Sequence, residues 1–328
     1  MSGFPIEAVL FIFLVCLAVA VARLRDLLAA AMLTGMFSLI SACLFTLMDA
    51  VDVAFTEAAV GAGISTVLIL GTLALTDATE KRPKKRWLPL IVVLLTGGAL
   101  LYGTLDMPAY GDPSAPIHGH MAPEQIAGTQ NEFGIPNIVT AILGSYRGYD
   151  TFGETTVIFA ASVGVLLLLV PVWSTQTSPL VEGESTESGT SQRMKDKAIL
   201  RIVSKALIPF IFLFGLYVQF HGDYGPGGGF QAGVIIAAAF ILYSMIYGLE
   251  EGRKLMPDWI IRLVMALGVS VFGGTGIASI LLGANYLDYS PFAYKIYKAQ
   301  HLGIIIVELG VGLTVFAVML GLFNAFAG

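Results

Sequence analysis

The chain has 328 residues, of which 56% are hydrophobic and only 12% charged, and its formal net charge is −5. Soluble domains carry about 25% charged residues, and here the apolar residues come in long unbroken blocks. The composition therefore excludes an ordinary soluble domain and predicts an all-α, polytopic integral membrane protein embedded in membrane lipid. The acidic balance also argues against a nucleic-acid partner and against broad attraction to anionic lipid.

Runs long enough to cross ~30 Å of hydrocarbon recur about nine times. They are Phe4–Ala22, Leu27–Met48, Glu57–Thr76, Trp87–Leu105, Phe152–Trp173, Ile199–Phe220, Gly228–Leu249, Trp259–Leu282 and Gln300–Phe326. The first run ends in AVAVA but lacks the positive flank of a signal peptide, so it reads as a retained span. Ile135–Tyr146 is too short to span and reads as a half-helix or interfacial helix leading into the fifth span. Cys16 and Cys43 fall within apolar runs and suggest neither a disulfide nor a zinc site.

Lys and Arg mark the odd-numbered loops: Arg23 and Arg25; Lys81, Arg82, Lys84, Lys85 and Arg86; Arg193, Lys195 and Lys197; Arg253 and Lys254. Even-numbered loops are acidic or neutral, with Lys295 and Lys298 as the exception. The bias predicts an N-terminus outside and a C-terminus in the cytoplasm. Thr175–Gln192 is rich in Ser, Thr and Glu and reads as a flexible linker. The expected organisation is a three-helix module over 1–80 and a two-helix module with a long outer loop over 81–174. A cytoplasmic linker over 175–197 then leads to a four-helix module over 198–328.

Ionisable groups inside hydrocarbon are costly unless paired, wetted or used, so they are the candidate functional residues. In DVAFTEAAVG, Asp52 is expected at the outer surface, while Glu57 lies inside the third span and is placed to take up a proton or a cation. A helix start with Glu57 at the positive end of the dipole is the plainer alternative. In SYRGYDTFGE, Arg147 is spaced to neutralise Asp150 or Glu154, and a surface staple is the plainer reading. Lys205 lies near one end of the sixth span, where it can snorkel, and Pro209 beside it predicts a kink.

The string HGDYGPGGGF, His221 to Phe230, carries a histidine able to titrate near neutrality. Its Pro226, Gly227, Gly228 and Gly229 mark a tight turn expected to face outward. Gly229 and Gly233 form a small-xxx-small face for close helix packing. It is not a phosphate loop, because no Lys-Ser/Thr pair follows. In the last span His301 and Glu308 share one helix face about 10 Å apart, and Glu308 is the deepest carboxylate in the chain. His118 and His120, near Asp106 and Asp112, lack any defined metal-binding spacing and read as solvated loop residues.

At these strings the chain resembles a known family. The segment from Ile199 through HGDYGPGGGFQAG to the C-terminus looks like the B subunit of the Mrp-type multisubunit Na⁺/H⁺ antiporter. DVAFTEAAVGAG and NIVTAILGSYRGYDTFGET resemble small subunits of membrane-bound hydrogenases that correspond to the tail of the Mrp A subunit. The resemblance implies a bacterial inner-membrane subunit working with A, C, D, E, F and G types, exchanging Na⁺ against H⁺ without a cofactor or chemical catalysis. By motif, Glu57, Glu154 and the His221–Gly229 turn match family positions. The chain departs in two places: the A-type acid falls about one turn after Glu57, where Gly61 stands, and B subunits often carry Asp near the position of His301. Three rivals remain: a membrane module of a hydrogenase-like or quinone-linked complex, a structural scaffold, and a b-type haem protein using His221 and His301.

Overall fold

The structure is a computed structural model and describes residues 6–73, 76–80, 87–109, 111–169 and 198–327. The basic loop Lys81–Arg86 and the expected linker over 175–197 lie outside the described residues. So do the linker-flanking cations Arg193, Lys195 and Lys197.

Helices account for the secondary structure, in the order α1 Ile6–Arg23, α2 Leu27–Leu47, α3 Val51–Leu73, α4 Trp87–Thr104, α5 Pro116–Gly119, α6 Met121–Gly128, α7 Ile138–Ala141 and α8 Gly148–Leu169. After the undescribed segment come α9 Ala198–His221, α10 Gly229–Tyr247, α11 Leu249–Leu255, α12 Asp258–Leu281 and α13 Ile296–Ala327. Among the described residues, nine of these are long and apolar enough to cross a membrane: α1–α4, α8–α10, α12 and α13. This is a multi-pass membrane protein with an all-α fold.

Several local features decide where the functional groups sit. α3 begins at Val51, six residues before the apolar run suggests, so Asp52 lies in its first turn rather than in an outer loop. An acid is favourable there because the first N–H groups of a helix are unpaired. The middle of α3, Ala58–Ile64, widens into a π-helical stretch, a distortion that often marks functional sites. The short helix α7 runs into a π turn, Ile142–Tyr146, and stops at Arg147 before α8 starts, so it does not span.

The core lies in the C-terminal helices. Ala237, Met265, Phe272, Val307, Val315 and Ala317 are all buried and join one apolar cluster. α13 is buried on most sides and packs against both α10 and α12. α10 and α13 approach backbone to backbone, since a Cβ added at Gly233 would lie 2.7 Å from the carbonyl oxygen of Gly312. Small residues at such a crossing replace hydrophobic driving force with close van der Waals contact. By contrast α1 and α4 bury none of their residues and present apolar side chains all round.

Candidate functional site

The turn between α9 and α10 organises the site. Gly222, Asp223, Gly228 and Gly229 are buried within the protein, and Asn137 and Thr140 bond to the turn. Asn137 Nδ2 donates to the carbonyls of Gly222 (2.8 Å) and Gly225 (3.0 Å), and Thr140 Oγ1 donates to Gly222 O at 2.7 Å. The Asn137 N–H donates to Asp223 O at 3.2 Å. Irregular backbone buried in protein must have its polar groups satisfied there, and these two side chains do that. Gly228 has φ +123°, a conformation that other residues rarely adopt. Gly229 then lets the start of α10 press directly on the α13 backbone at Glu308.

The result is a junction deep in the helix bundle. Glu308 lies twelve residues into α13, about 18 Å along its axis. Its Oε2 accepts a hydrogen bond from the Gly229 N–H, so the carboxylate faces the positive end of the 19-residue helix α10. Asp52 Oδ1 accepts from the Gly227 N–H at 3.3 Å and from Asn137 Nδ2 at 3.4 Å. Gln231 Nε2 donates to Thr56 Oγ1 at 2.7 Å, tying α10 to α3 one turn beyond Asp52.

Asp52, Glu154 and Glu308 all line one cavity of about 450 Å³. The hydroxyls of Thr56, Thr140, Thr151 and Thr155 and the amide of Gln231 complete its polar lining. None of the described residues lining it is basic. A smaller cavity of about 160 Å³ lies on the other side of Glu308 and contains Asp223, His301 and Gln219. Glu308, Thr140 and the turn thus separate two chambers. Asp223 is 7% exposed, and its Oδ2 lies 2.6 Å from His301 Nε2. Burial pushes the Asp223 carboxyl above the usual carboxylate range, while the neighbouring His301 pulls it back.

Not every predicted residue reaches this junction. Glu57 lines neither chamber; its carboxylate folds back over Gly61 beside Ser38, between α3 and α2. Its Oε1 lies 2.6 Å from where a Gly61 Cβ would stand, so the carboxylate occupies space that a side chain at 61 would need. His221 stacks on Tyr217 with ring centroids 4.8 Å apart and faces a separate groove containing Cys43 and Thr46. Arg147 pairs with Asp150 at 2.6 Å in an exposed ion pair that leaves Glu154 aside. Lys205 is exposed on α9, and Pro209 lies within that helix. His118 and His120 are exposed at the ends of short helices, and Asp112 is held by Ser114 instead.

Sequence reasoning missed Asp223, Asn137, Thr140, Thr56 and Gln231. Asp223 was within reach: it is the one acid inside HGDYGPGGGF, two residues from the histidine that drew attention. The neutral partners carry no charge signal, and only their contacts reveal them.

Comparison with known proteins places this architecture. A family model described as "Domain related to MnhB subunit of Na+/H+ antiporter" matches residues 199–321. The putative antiporter subunit mnhB2 of Staphylococcus haemolyticus is 32% identical over 139 residues, which are 41% of this chain and 96% of that protein. The chain belongs to the MnhB-related family of antiporter subunits. A second family model, for the D-type subunit of MBH, matches residues 12–78.

The probable K⁺/H⁺ antiporter A/B subunit of Rhizobium meliloti is 25% identical over 287 residues, or 79% of this chain. The chain spans only 28% of that relative's length. Among solved structures, that of the Mrp complex from Dietzia sp. DQ12-45-1b matches with a TM-score of 0.75 and 25% identity. The match covers all of this chain and 35% of that one. The membrane-bound sulfane sulfur reductase, an archaeal respiratory membrane complex, matches with a TM-score of 0.53 and 27% identity. It covers 73% of this chain and 97% of that one.

Proposed function

We propose that this chain is a membrane subunit of a multisubunit Na⁺/H⁺ or K⁺/H⁺ antiporter and that the chambers flanking Glu308 form part of its ion path. The observation that carries this reading is the convergence of Asp52, Glu154 and Glu308 on one cavity with no basic residue among the described lining residues. Three ionised carboxylates in a low-dielectric space repel one another. That repulsion is relieved by a proton or by a monovalent cation, and the two compete for the same oxygens. Threonine hydroxyls and the Gln231 carbonyl offer further oxygen ligands of the kind hard cations prefer. Glu308, facing both chambers, is the group able to pass a proton or cation between them. His301 and Asp223 provide the relay on the side of the smaller chamber.

In this reading Glu57 contributes on the neighbouring α2–α3 face, and Arg147, Asp150, Lys205 and His221 are peripheral. The partners are the other members of the complex, of A, C, D, E, F and G types, in a bacterial inner membrane with the N-terminus outside. The three-helix, two-helix and four-helix modules would each contact different neighbours.

The test is Na⁺-dependent proton flux in vesicles carrying the assembled complex with Glu308→Gln or Asp52→Asn. Loss of flux with assembly intact supports the reading; full flux in both variants overturns it. A second reading, a membrane module of a redox-driven complex, draws on the likeness of residues 12–78 to the MBH family and on the archaeal respiratory neighbour. Iron, nickel and acid-labile sulfide in the purified native complex would favour that alternative.

A further inference from the structure

A third cavity, of about 600 Å³, lies away from the carboxylates, where α8, α12 and α13 diverge. Its mouth is formed by helix ends: Leu166 and Leu167 in the last turns of α8, Asp258 at the start of α12, and Asn324 near the end of α13. Inward it is walled by Phe159, Val163, Ile261 and Met265. From Leu167 back to Phe159 the α8 wall runs about 12 Å, eight residues at 1.5 Å each. The cavity is therefore a slot that starts at a span end and continues into the hydrocarbon region.

Two arginines stand at the polar end of this slot. Arg253 Nη2 donates to Asn324 O at 3.2 Å, while its Nε is buried without a hydrogen-bond partner among the described residues. Arg262, one turn into α12, is exposed and has no partner among the described residues. The nearby acid Asp258 accepts from Asn324 Nδ2 at 3.2 Å, and Lys254 is paired with Glu251 at 2.7 Å. Among the residues lining the slot two guanidiniums face one carboxylate, while Glu250 and the Glu251–Lys254 pair stand outside the lining.

We propose that this slot binds an anionic phospholipid, with Arg262 and Arg253 holding the headgroup phosphate and the apolar walls taking one acyl chain. The volume falls within the about 300–1,000 Å³ of typical ligand pockets. Guanidinium forks match phosphate oxygens in pairs, and basic pockets between membrane helices are suited to acidic headgroups. A zwitterionic lipid would bring its own cation against the arginines and gain less.

The experiment is quantitative lipid mass spectrometry on the intact complex purified in mild detergent from membranes containing phosphatidylglycerol and phosphatidylethanolamine. Wild type is expected to retain phosphatidylglycerol in fixed stoichiometry. Arg262→Gln, whose side chain supports no internal contact, is expected to retain about five-fold less, with phosphatidylethanolamine unchanged. Ala266→Trp, which fills the slot and keeps both arginines, should lose the same lipid. Equal phosphatidylglycerol in wild type and both variants would overturn the proposal. So would a photo-crosslinker at Leu167 that captures a neighbouring protein in place of lipid. None of these readouts depends on ion transport.

Discussion

Replacing His301 by Ala isolates the ion pair that closes the smaller chamber. Asp223 keeps a buried carboxylate, with 9% of its side chain exposed, 2.6 Å from the imidazole. Breaking a fully buried pair from one side costs about 3–5 kcal/mol, because the remaining charge is stranded. His301 is 37% exposed at its side chain, so solvent screens part of the interaction and the expected loss is about 1–2 kcal/mol. The loss should depend on pH. The folded protein holds the Asp223 proton more tightly than the unfolded chain does. Stability therefore falls as pH rises out of the ordinary carboxylate range, and levels off above the folded value. Without His301 that upper limit moves higher, so the extra loss grows with pH for as long as the imidazole carries its proton. Apparent Tm of the intact complex at two pH values below neutrality would measure this for wild type, His301→Ala, Asp223→Asn and the double variant. The double variant should be little worse than Asp223→Asn alone. A His301→Ala loss that is the same at both pH values, or strictly additive with Asp223→Asn, would refute the argument.

Three other outcomes are expected. In vesicles, Glu308→Gln should lower Na⁺-dependent proton flux by at least about ten-fold; Glu57→Gln, lining neither chamber, should lower it less, and the reverse order would move the path to the α2–α3 face. Gly233→Ala should force α10 off α13 at Gly312 and cost about 1–3 kcal/mol, read as a lower apparent Tm of the complex. Asn137→Ala strips hydrogen bonds from the carbonyls of Gly222 and Gly225, at about 1–3 kcal/mol; faster hydrogen exchange across residues 221–229 is the signature to measure.

Hydrophobic run length by itself decides the class of this protein, because crossing a bilayer demands about twenty apolar residues whatever the fold. The same logic picks out Glu308, an acid alone in a long apolar run, and HGDYGPGGGF, where glycines and a proline interrupt one. It also marks Ile135–Tyr146 as too short to span, which is how that segment is built. Run length fails at α3, because Asp52 counts as polar on a hydropathy scale yet is held inside the helix by partners at Gly227 and Asn137.

Which acids meet is a separate matter. Asp52 and Gly227 are 175 residues apart, as are Thr56 and Gln231, and Asp223 lies 78 residues from His301. No local pattern encodes such pairings. They follow from the approach of α10 to α13 and from the cover that Asn137 and Thr140 lay over the turn. Packing alone turned Glu57 toward Ser38 and away from the chambers, and gave His301 its partner in Asp223 rather than in His221. The sequence told which groups are expensive to bury, since that cost belongs to each residue. Only the tertiary structure decided which of them share it, because sharing depends on distances that chain order does not contain.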